Sequence, residues 1–263
     1  VYQDEEDNLK VSFLENDPET LIIYTPAIPK DSKILNYFRS GGFTLKKRSE
    51  VLGIISKGMY TIAVAGTHGK TTTSSIIAHI LKDSGYDCSA FLGGIATNYD
   101  SNVLFGDNNT MVVEADEFDR SFLTLYPDVA IVTSMDADHL DIYGDRSHLV
   151  ESFRQFVSQI KEGGRLIFKK GLDLSGGKTY SANVLADIQA VNVKVQDGSF
   201  YFDFKNERMV IENVQLGLPG LHNIENAVAA IEVALHLGID PEKIRKALAS
   251  FLGVKRRFEY ILK

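Results

Sequence analysis

Residues 61–73 read TIAVAGTHGKTTT, and this stretch limits the possible folds more than any other part of the chain. A short apolar run (Ile62, Ala63, Val64, Ala65) stops at Gly66. Thr67, His68, Gly69, Lys70 and three threonines follow, and then a helical apolar pattern at Ile76, Ile77, Ile80 and Leu81. That order predicts a buried strand, a tight loop and a helix N-terminus. Backbone N–H groups in such a loop form an anion-binding concavity. Gly66 and Gly69 let the backbone approach phosphate oxygens that a Cβ would block. Lys70 places a cation beside β- and γ-phosphates, and the Thr71 hydroxyl is the type of group that ligates their Mg²⁺. In the common phosphate loop, G-x-x-x-x-G-K-[ST], the first glycine falls on what is Val64 here, so this loop is a shortened variant. The plain alternative is a glycine-rich turn with a surface lysine. The order of strand, loop and helix favours the phosphate loop.

A chain of 263 residues can bury a sizeable core and has room for about two domains. Its 44% apolar and 24% charged content is that of an ordinary globular protein. A net charge of −7 argues against nucleic acid as a partner, yet leaves room for a small anion at a local positive site. The single cysteine, Cys88, has no internal disulfide partner and sits in an apolar run, which predicts a buried small hydrophobe. No stretch approaches the ~18 apolar residues of a membrane span. The N-terminus, VYQDEEDNLK, is acidic and lacks the basic and apolar regions of a signal peptide, so a cytoplasmic location is expected.

Residues 20–29 predict a strand ending at a proline-bounded turn, and 31–41 a short helix closed by Gly41-Gly42. One strand and one helix cannot cover both faces of a sheet, so residues 1–47 are expected to be the last part of a βα domain. From 48 to 170 strands (61–65, 89–93, 111–115, 129–134, 165–169) alternate with helices (49–57, 70–83, 146–161). This predicts an α/β fold with a mostly parallel sheet covered on both faces, with ligands outside the carboxyl ends of the strands. Residues 186–216 alternate in hydrophobicity around Asp197-Gly198, a hairpin signal, and predict an antiparallel β extension. Helices over 221–237 and 241–251 close the unit, the second with Asp240 as cap and Pro241 in its first turn.

Four further segments carry chemistry. In MVVEADEFD (111–119) an apolar strand ends at Glu114, Asp116, Glu117 and Asp119. A carboxylate there, beside a phosphate loop, is placed to hold Mg²⁺. A solvated turn suffices for Asp119, whereas Glu114, directly after Met111-Val112-Val113, calls for a metal or an ion-pair partner. Residues 129–145 end another strand at Asp136, Asp138, His139 and Asp141, and His139 is placed to ligate a second cation. In LHNIENAVAA (221–230), Asn223 and Asn226 share one side of a helix start and offer the donor and acceptor that an adenine edge needs. Helix capping by Asn223 is the alternative. In GVKRRFE (253–259) three cations follow Gly253, and either one reaches a phosphate or the segment is a basic linker.

The segments RSEVLGII, VAGTHGKTTT, EADEFDRSFLTLYPDVAIVT, DADHLDIYGD, GLHNIENAVAAI and GVKRRFE, taken in this order, resemble the Mur ligase family from about residue 48 to 259. The shortened loop is that family's GTHGKT. The resemblance implies a central ATP-binding domain at 48–254, preceded at 1–47 by part of a Rossmann-like, UDP-binding N-terminal domain and followed at 255–263 by a linker to an absent C-terminal domain. It implies a ligase of peptidoglycan synthesis that uses ATP and Mg²⁺ and joins L-alanine to UDP-N-acetylmuramate through an acyl phosphate. The alternatives are a muropeptide-recycling ligase that joins a tripeptide to UDP-N-acetylmuramate, or a nucleotide-binding fragment that no longer catalyses. A generic phosphate-loop ATPase fits the acidic and histidine motifs less well.

By that resemblance Lys70, Glu114 and His139 are catalytic, with Lys70 stabilising the transferring phosphoryl group. Thr71 and Glu114 hold the Mg²⁺ on ATP, and His139 helps to hold a second. Gly66, Thr67, His68, Gly69 and Thr72 line the ATP loop, Asn223 and Asn226 contact adenine, and Arg257 reaches the nucleotide. Gly93, Gly94 and Asn98 are placed near the UDP-sugar. Several relatives carry a carbamylated lysine after the DH motif, but Val150-Glu151-Ser152-Phe153-Arg154 has none. The second metal site is then completed differently, or by Glu151 or Arg154.

Overall fold

The computed structural model describes residues 20–136 and 146–255. The chain divides into two compact units, residues 1–55 and 56–263. In the first, β1 (Leu21–Tyr24), α1 (Lys33–Ser40) and β2 (Thr44–Lys47) precede α2 (Arg48–Gly58), the helix in which the division falls. Ser32 caps α1 by accepting from Leu35 N at 3.3 Å, and Gly42 takes a left-handed φ of 75° just beyond it. β1 and β2 pair in parallel, with Leu21 opposite Thr44. The Thr-Leu-Lys-Lys sequence of β2 has no alternation to announce a strand; pairing with β1 makes it one.

The second unit continues through β3 (Tyr60–Ala65), α3 (Lys70–Asp83), β4 (Ser89–Ala96), β5 (Ser101–Leu104) and β6 (Thr110–Ala115). A 3-10 helix (Phe118–Thr124) leads to β7 (Val129–Val132), and α4 (Arg146–Ser158) to β8 (Arg165–Lys169) and β9 (Lys178–Ser181). Then come β10 (Ile188–Gln196), β11 (Ser199–Lys205), β12 (Val210–Leu216), α5 (Leu221–His236) and α6 (Pro241–Ser250). All ten strands form one sheet in the order β12-β11-β10-β9-β8-β7-β3-β6-β4-β5. The run from β10 to β4 is parallel throughout. The expected antiparallel extension is therefore the continuation of the main sheet through β10, and a second antiparallel strand, β5, closes the other side.

Central position explains the composition of β3. Ile62, Ala63, Val64 and Ala65 are all fully buried, as a strand covered on both faces requires. Ile62 and Val64 pack in one cluster with Ile76, Ile77 and Ile80 of α3 and Ile224, Val228 and Ile231 of α5. Phe122, Phe153 and Phe156 form a separate buried group, with Phe122 stacked on Phe156 at 5.2 Å between ring centroids. Cys88 is fully buried, as expected, and burial pushes its thiol up to about 12. Among the described residues no helix is long and apolar enough to cross a membrane.

The antiparallel part is shaped by one carboxylate. Asp197 (φ 50°) and Gly198 (φ 76°) both take the left-handed conformation that a two-residue hairpin needs. Further along, β10 and β12 each bulge around a left-handed asparagine, Asn192 and Asn213. Between them on β11, Asp203 accepts from Asn192 Nδ2 at 2.7 Å and from Asn213 N at 2.8 Å. Those bonds hold its carboxyl below the usual range.

His79 on α3 ties this helix to the end of α6. Its ring nitrogens lie 2.9 Å from the Tyr99 hydroxyl and 2.9 Å from Ser250 Oγ. Burial lowers its pKa, and burial likewise lowers that of His236, whose Nε2 is 3.0 Å from the Tyr60 hydroxyl. The folded chain thus binds these protons less tightly than the unfolded chain. The stability from the neutral rings is complete above about pH 6.5 and is lost as pH falls below it. The urea midpoint is expected to drop between about pH 7.5 and pH 5.5, with a shallower slope in His79→Gln. An unchanged slope in that variant would exclude His79 as a source of the effect.

Candidate functional site

The register of the three central strands builds the site. Val64 lies opposite Glu114 on one side and Ile131 on the other, and Ala65 opposite Ala115 and Val132. β6, β3 and β7 therefore end at one level, and their carboxyl ends deliver Asp116 and Glu117, the loop 66–69, and Thr133 and Ser134 to one edge. This is the edge at which parallel sheets bind ligands.

The loop is held from the β7 side. Thr133 Oγ1 contacts the carbonyls of Ala65, at 3.1 Å, and His68. Ser134 Oγ accepts from His68 N at 2.7 Å and lies 2.9 Å from Thr67 Oγ1, which in turn accepts from Asp136 N at 3.1 Å. Gly66 has φ 136°, and a Cβ there would stand 2.2 Å from Thr133 Oγ1 and 2.8 Å from Ser134 N. Only glycine fits between the loop and this clamp.

Gly69 (φ 84°) caps α3 with no side-chain bond to the first turn. The first intrahelical bond is Thr73 N to Gly69 O at 2.9 Å. The N–H groups of Lys70, Thr71 and Thr72 thus begin the helix without intrahelical partners, at the positive end of its dipole. Within the loop, the N–H groups of Thr67 and His68 are taken by Ser134. The N–H groups left for an anion are those of the helix start. The His68 side chain itself is 68% exposed, 4.0 Å from Asp136.

Lys70 turns back across the loop. Its Nζ donates to Gly66 O at 2.8 Å and to Glu117 Oε2 at 2.7 Å and Oε1 at 3.0 Å. Glu117 is fully buried and is the residue that the sequence motifs left without a role. Its offset from the strand end, two residues past Ala115, gives no signal.

Glu114 is half-buried and accepts from Gly93 N at 2.8 Å. A Cβ on Gly93 would stand 2.4 Å from Glu114 Oε2, and a Cβ on Gly94 would stand 3.1 Å from Thr71 Cγ2. Two adjacent glycines of β4 therefore make room for the Glu114 carboxylate and for Thr71. A hydroxyl and a carboxylate are the oxygen donors Mg²⁺ prefers, and Mg²⁺ on a nucleotide takes its other ligands from phosphate and water. The residues fit such an ion. Among the described residues no three acidic, histidine or cysteine side chains could hold a metal by themselves.

Asn226 is buried, and its Oδ1 would meet a Cβ on Gly69 at 2.9 Å, so it borders the loop. Asn223 does not cap α5. Gly220 is the cap, and Asn223 Nδ2 donates back to Pro219 O at 2.6 Å. Asn98 binds the backbone of the chain's last described segment, donating to Ser250 O at 2.9 Å and accepting from Leu252 N at 2.8 Å. Val254 then bridges to Ala96, and Lys255 N donates to Ile95 O at 2.9 Å. Arg154 pairs with Asp173 at 2.7 Å and Glu151 at 3.7 Å on α4. Asp138, His139, Asp141, Arg257 and the Asp119 side chain lie outside the described residues.

Ser134→Ala removes the acceptor of His68 N and a partner of Thr67. The expected loss is about 1–3 kcal/mol in urea unfolding, with faster amide exchange at His68. Unchanged exchange there would mean that the clamp is not what orders the loop.

The chain is 46% identical over 262 residues to the UDP-N-acetylmuramate–L-alanine ligase of Christiangramia forsetii, covering 100% of this chain and 58% of that one. It is 50% identical over 259 residues to the enzyme of the same name from Flavobacterium psychrophilum, covering 97% of this chain and 57% of that one. Among solved structures, the UDP-N-acetylmuramate–alanine ligase of Thermotoga maritima superposes with a TM-score of 0.80 at 26% identity, over 92% of this chain and 57% of that one. The chain thus spans a little over half the length of these relatives. Residues 64–234 match the Mur ligase middle domain. That match runs from within β3 almost to the end of α5 and takes in the loop, Glu114, Glu117 and both asparagines, and the chain belongs to the Mur ligase family.

Proposed function

We propose that this chain is the ATP-binding part of a ligase that joins L-alanine to UDP-N-acetylmuramate. The observation that carries the reading is the helix start at Gly69-Lys70-Thr71, bordered by Glu114 across two glycines of β4. It stands in a chain 46% identical to a relative of that name. In the proposed reaction a carboxylate oxygen of UDP-N-acetylmuramate attacks the γ-phosphorus of ATP, the bond to the β-phosphate oxygen breaks, and ADP leaves. The amino group of L-alanine then attacks the acyl carbon, loses a proton and expels phosphate.

The chain's own residues position these groups and stabilise charge. The N–H groups of Lys70, Thr71 and Thr72 receive phosphate oxygens at the helix N-terminus. Lys70 neutralises charge on the transferring group. Thr71 and Glu114 would hold Mg²⁺, which when bound would draw charge from the phosphate oxygens. Asn226, and with it Asn223, borders the nucleotide beside Gly69. His139 and Arg257 are proposed to hold a second Mg²⁺ and the nucleotide, respectively, from the segments beyond the described residues.

The decisive test is ADP release by the full-length protein given UDP-N-acetylmuramate with L-alanine, against the same mixture with L-Ala-γ-D-Glu-diaminopimelate. Release with L-alanine is expected; release with the tripeptide alone would assign the recycling reaction instead. Lys70→Ala is expected to lower turnover by about 10²-fold or more. It also removes the cation beside a fully buried carboxylate, so the rate is to be read where circular dichroism shows the variant folded. Near-normal turnover would reject the role of Lys70. Glu114→Ala should raise the Mg²⁺ concentration needed for half-maximal rate, and a merely solvated carboxylate would leave it unchanged.

A further inference from the structure

Lys70 does not stand free at the mouth of the loop. Its side chain is 12% exposed and that of Glu117 1%, with 2.7 Å between Nζ and Oε2. An ammonium carries three N–H donors. Gly66 O and the two Glu117 oxygens already surround it at 2.8, 2.7 and 3.0 Å. A phosphate oxygen that reaches Lys70 must take over a donor already in use, and Glu117 accounts for two of the three contacts. It must also approach a buried carboxylate of its own sign, in surroundings where charges are poorly screened.

The pair has a geometric purpose as well. A lysine has long rotamer-rich stems, and an unpaired one beside an open loop would sample many positions. Here Gly66 O and Glu117 fix the ammonium over the loop, four residues along the chain from the glycine that the Thr133 clamp holds. The cation is in place before any ligand arrives, and its charge is neutralised by a group that the ligand can replace.

Resting on the phosphate-loop reading above, we propose that Glu117 is a positioning residue for nucleotide entry. It holds Lys70 at the loop and yields it to the triphosphate, so that the Lys70–Glu117 pair sets how tightly a triphosphate binds. Glu117 touches no reacting atom in this scheme and acts through Lys70.

The test is calorimetric binding of ATP in Mg²⁺-free buffer to the full-length protein, its Glu117→Gln and Glu117→Asp variants, and Lys70→Ala with and without Glu117→Gln. Glu117→Gln is expected to bind ATP about tenfold tighter than the parent. Glu117→Asp, which keeps the charge and shortens its reach, should shift affinity the same way by less, and it decides the matter if Glu117→Gln does not fold. The gain from Glu117→Gln should shrink in the Lys70→Ala background. A folded Glu117 variant that binds ATP no tighter overturns the proposal, as does an equal gain with and without Lys70. A parent protein that binds no ATP would instead reject the phosphate-loop reading itself.

Discussion

Everything at the candidate site depends on three parallel strands ending at the same level. Because β6, β3 and β7 run in register, the loop after β3 meets the acidic turn after β6 and the hydroxyls after β7 without any long excursion. The hydroxyls of Thr133 and Ser134 then fix a loop that has no regular structure of its own. The approach is so close that a single methyl at Gly66 would overlap Thr133. A site for a flexible polyanion gains from such rigidity, because the protein's donors lose little freedom when the ligand arrives.

Buried charge is distributed unevenly through this sheet. Glu225 and Glu232 on α5 are buried, and Lys169 of β8, Lys178 of β9 and Asn206, just after β11, meet them. These pairs bind a helix that is buried almost all round to the sheet below it. The Lys70–Glu117 pair is different, because it lies at the sheet edge beside a helix N-terminus that has no side-chain cap. A buried ion pair is weak evidence for stability, since desolvation offsets most of its attraction. At the loop that near-balance is useful, since an incoming anion can replace one partner at modest net change.

The fold was largely legible in the sequence where periodicity was strong. The buried run of β3, the helical pattern of α3, the Asp-Gly hairpin and the Asp240-Pro241 start of α6 all appear where they were expected. β2, β5 and β9 were not anticipated, because their short sequences become strands only through pairing with a neighbour. The helix predicted to 161 ends at Ser158, and the strand predicted to 134 ends at Val132, where Thr133 and Ser134 leave the sheet to clamp the loop. At the candidate site, the positions of Lys70, Thr71 and Glu114 at a helix start and a strand end were readable because motif and element boundary coincide. Glu117 was not, because nothing in EADEFD distinguishes a carboxylate that folds inward from one that faces water. The family resemblance alone puts Asn98 near the UDP-sugar, and its partners are backbone groups about 150 residues away that no local pattern reveals.

That last contact says something about the order of events during synthesis. Asn98 and the residues just before it are made early, yet their partners at 250–255 come at the far end of the unit. β3, α3 and β6 can collapse on one another soon after they emerge, whereas the strip of chain that lies along the end of β4 must wait for everything between. Contacts of such long separation form late and close loops at an entropic cost. Gly94, beside Thr71, therefore receives its outer neighbour, Val254, only when the unit is complete. A nascent chain would carry a recognisable phosphate loop well before it carried a finished pocket.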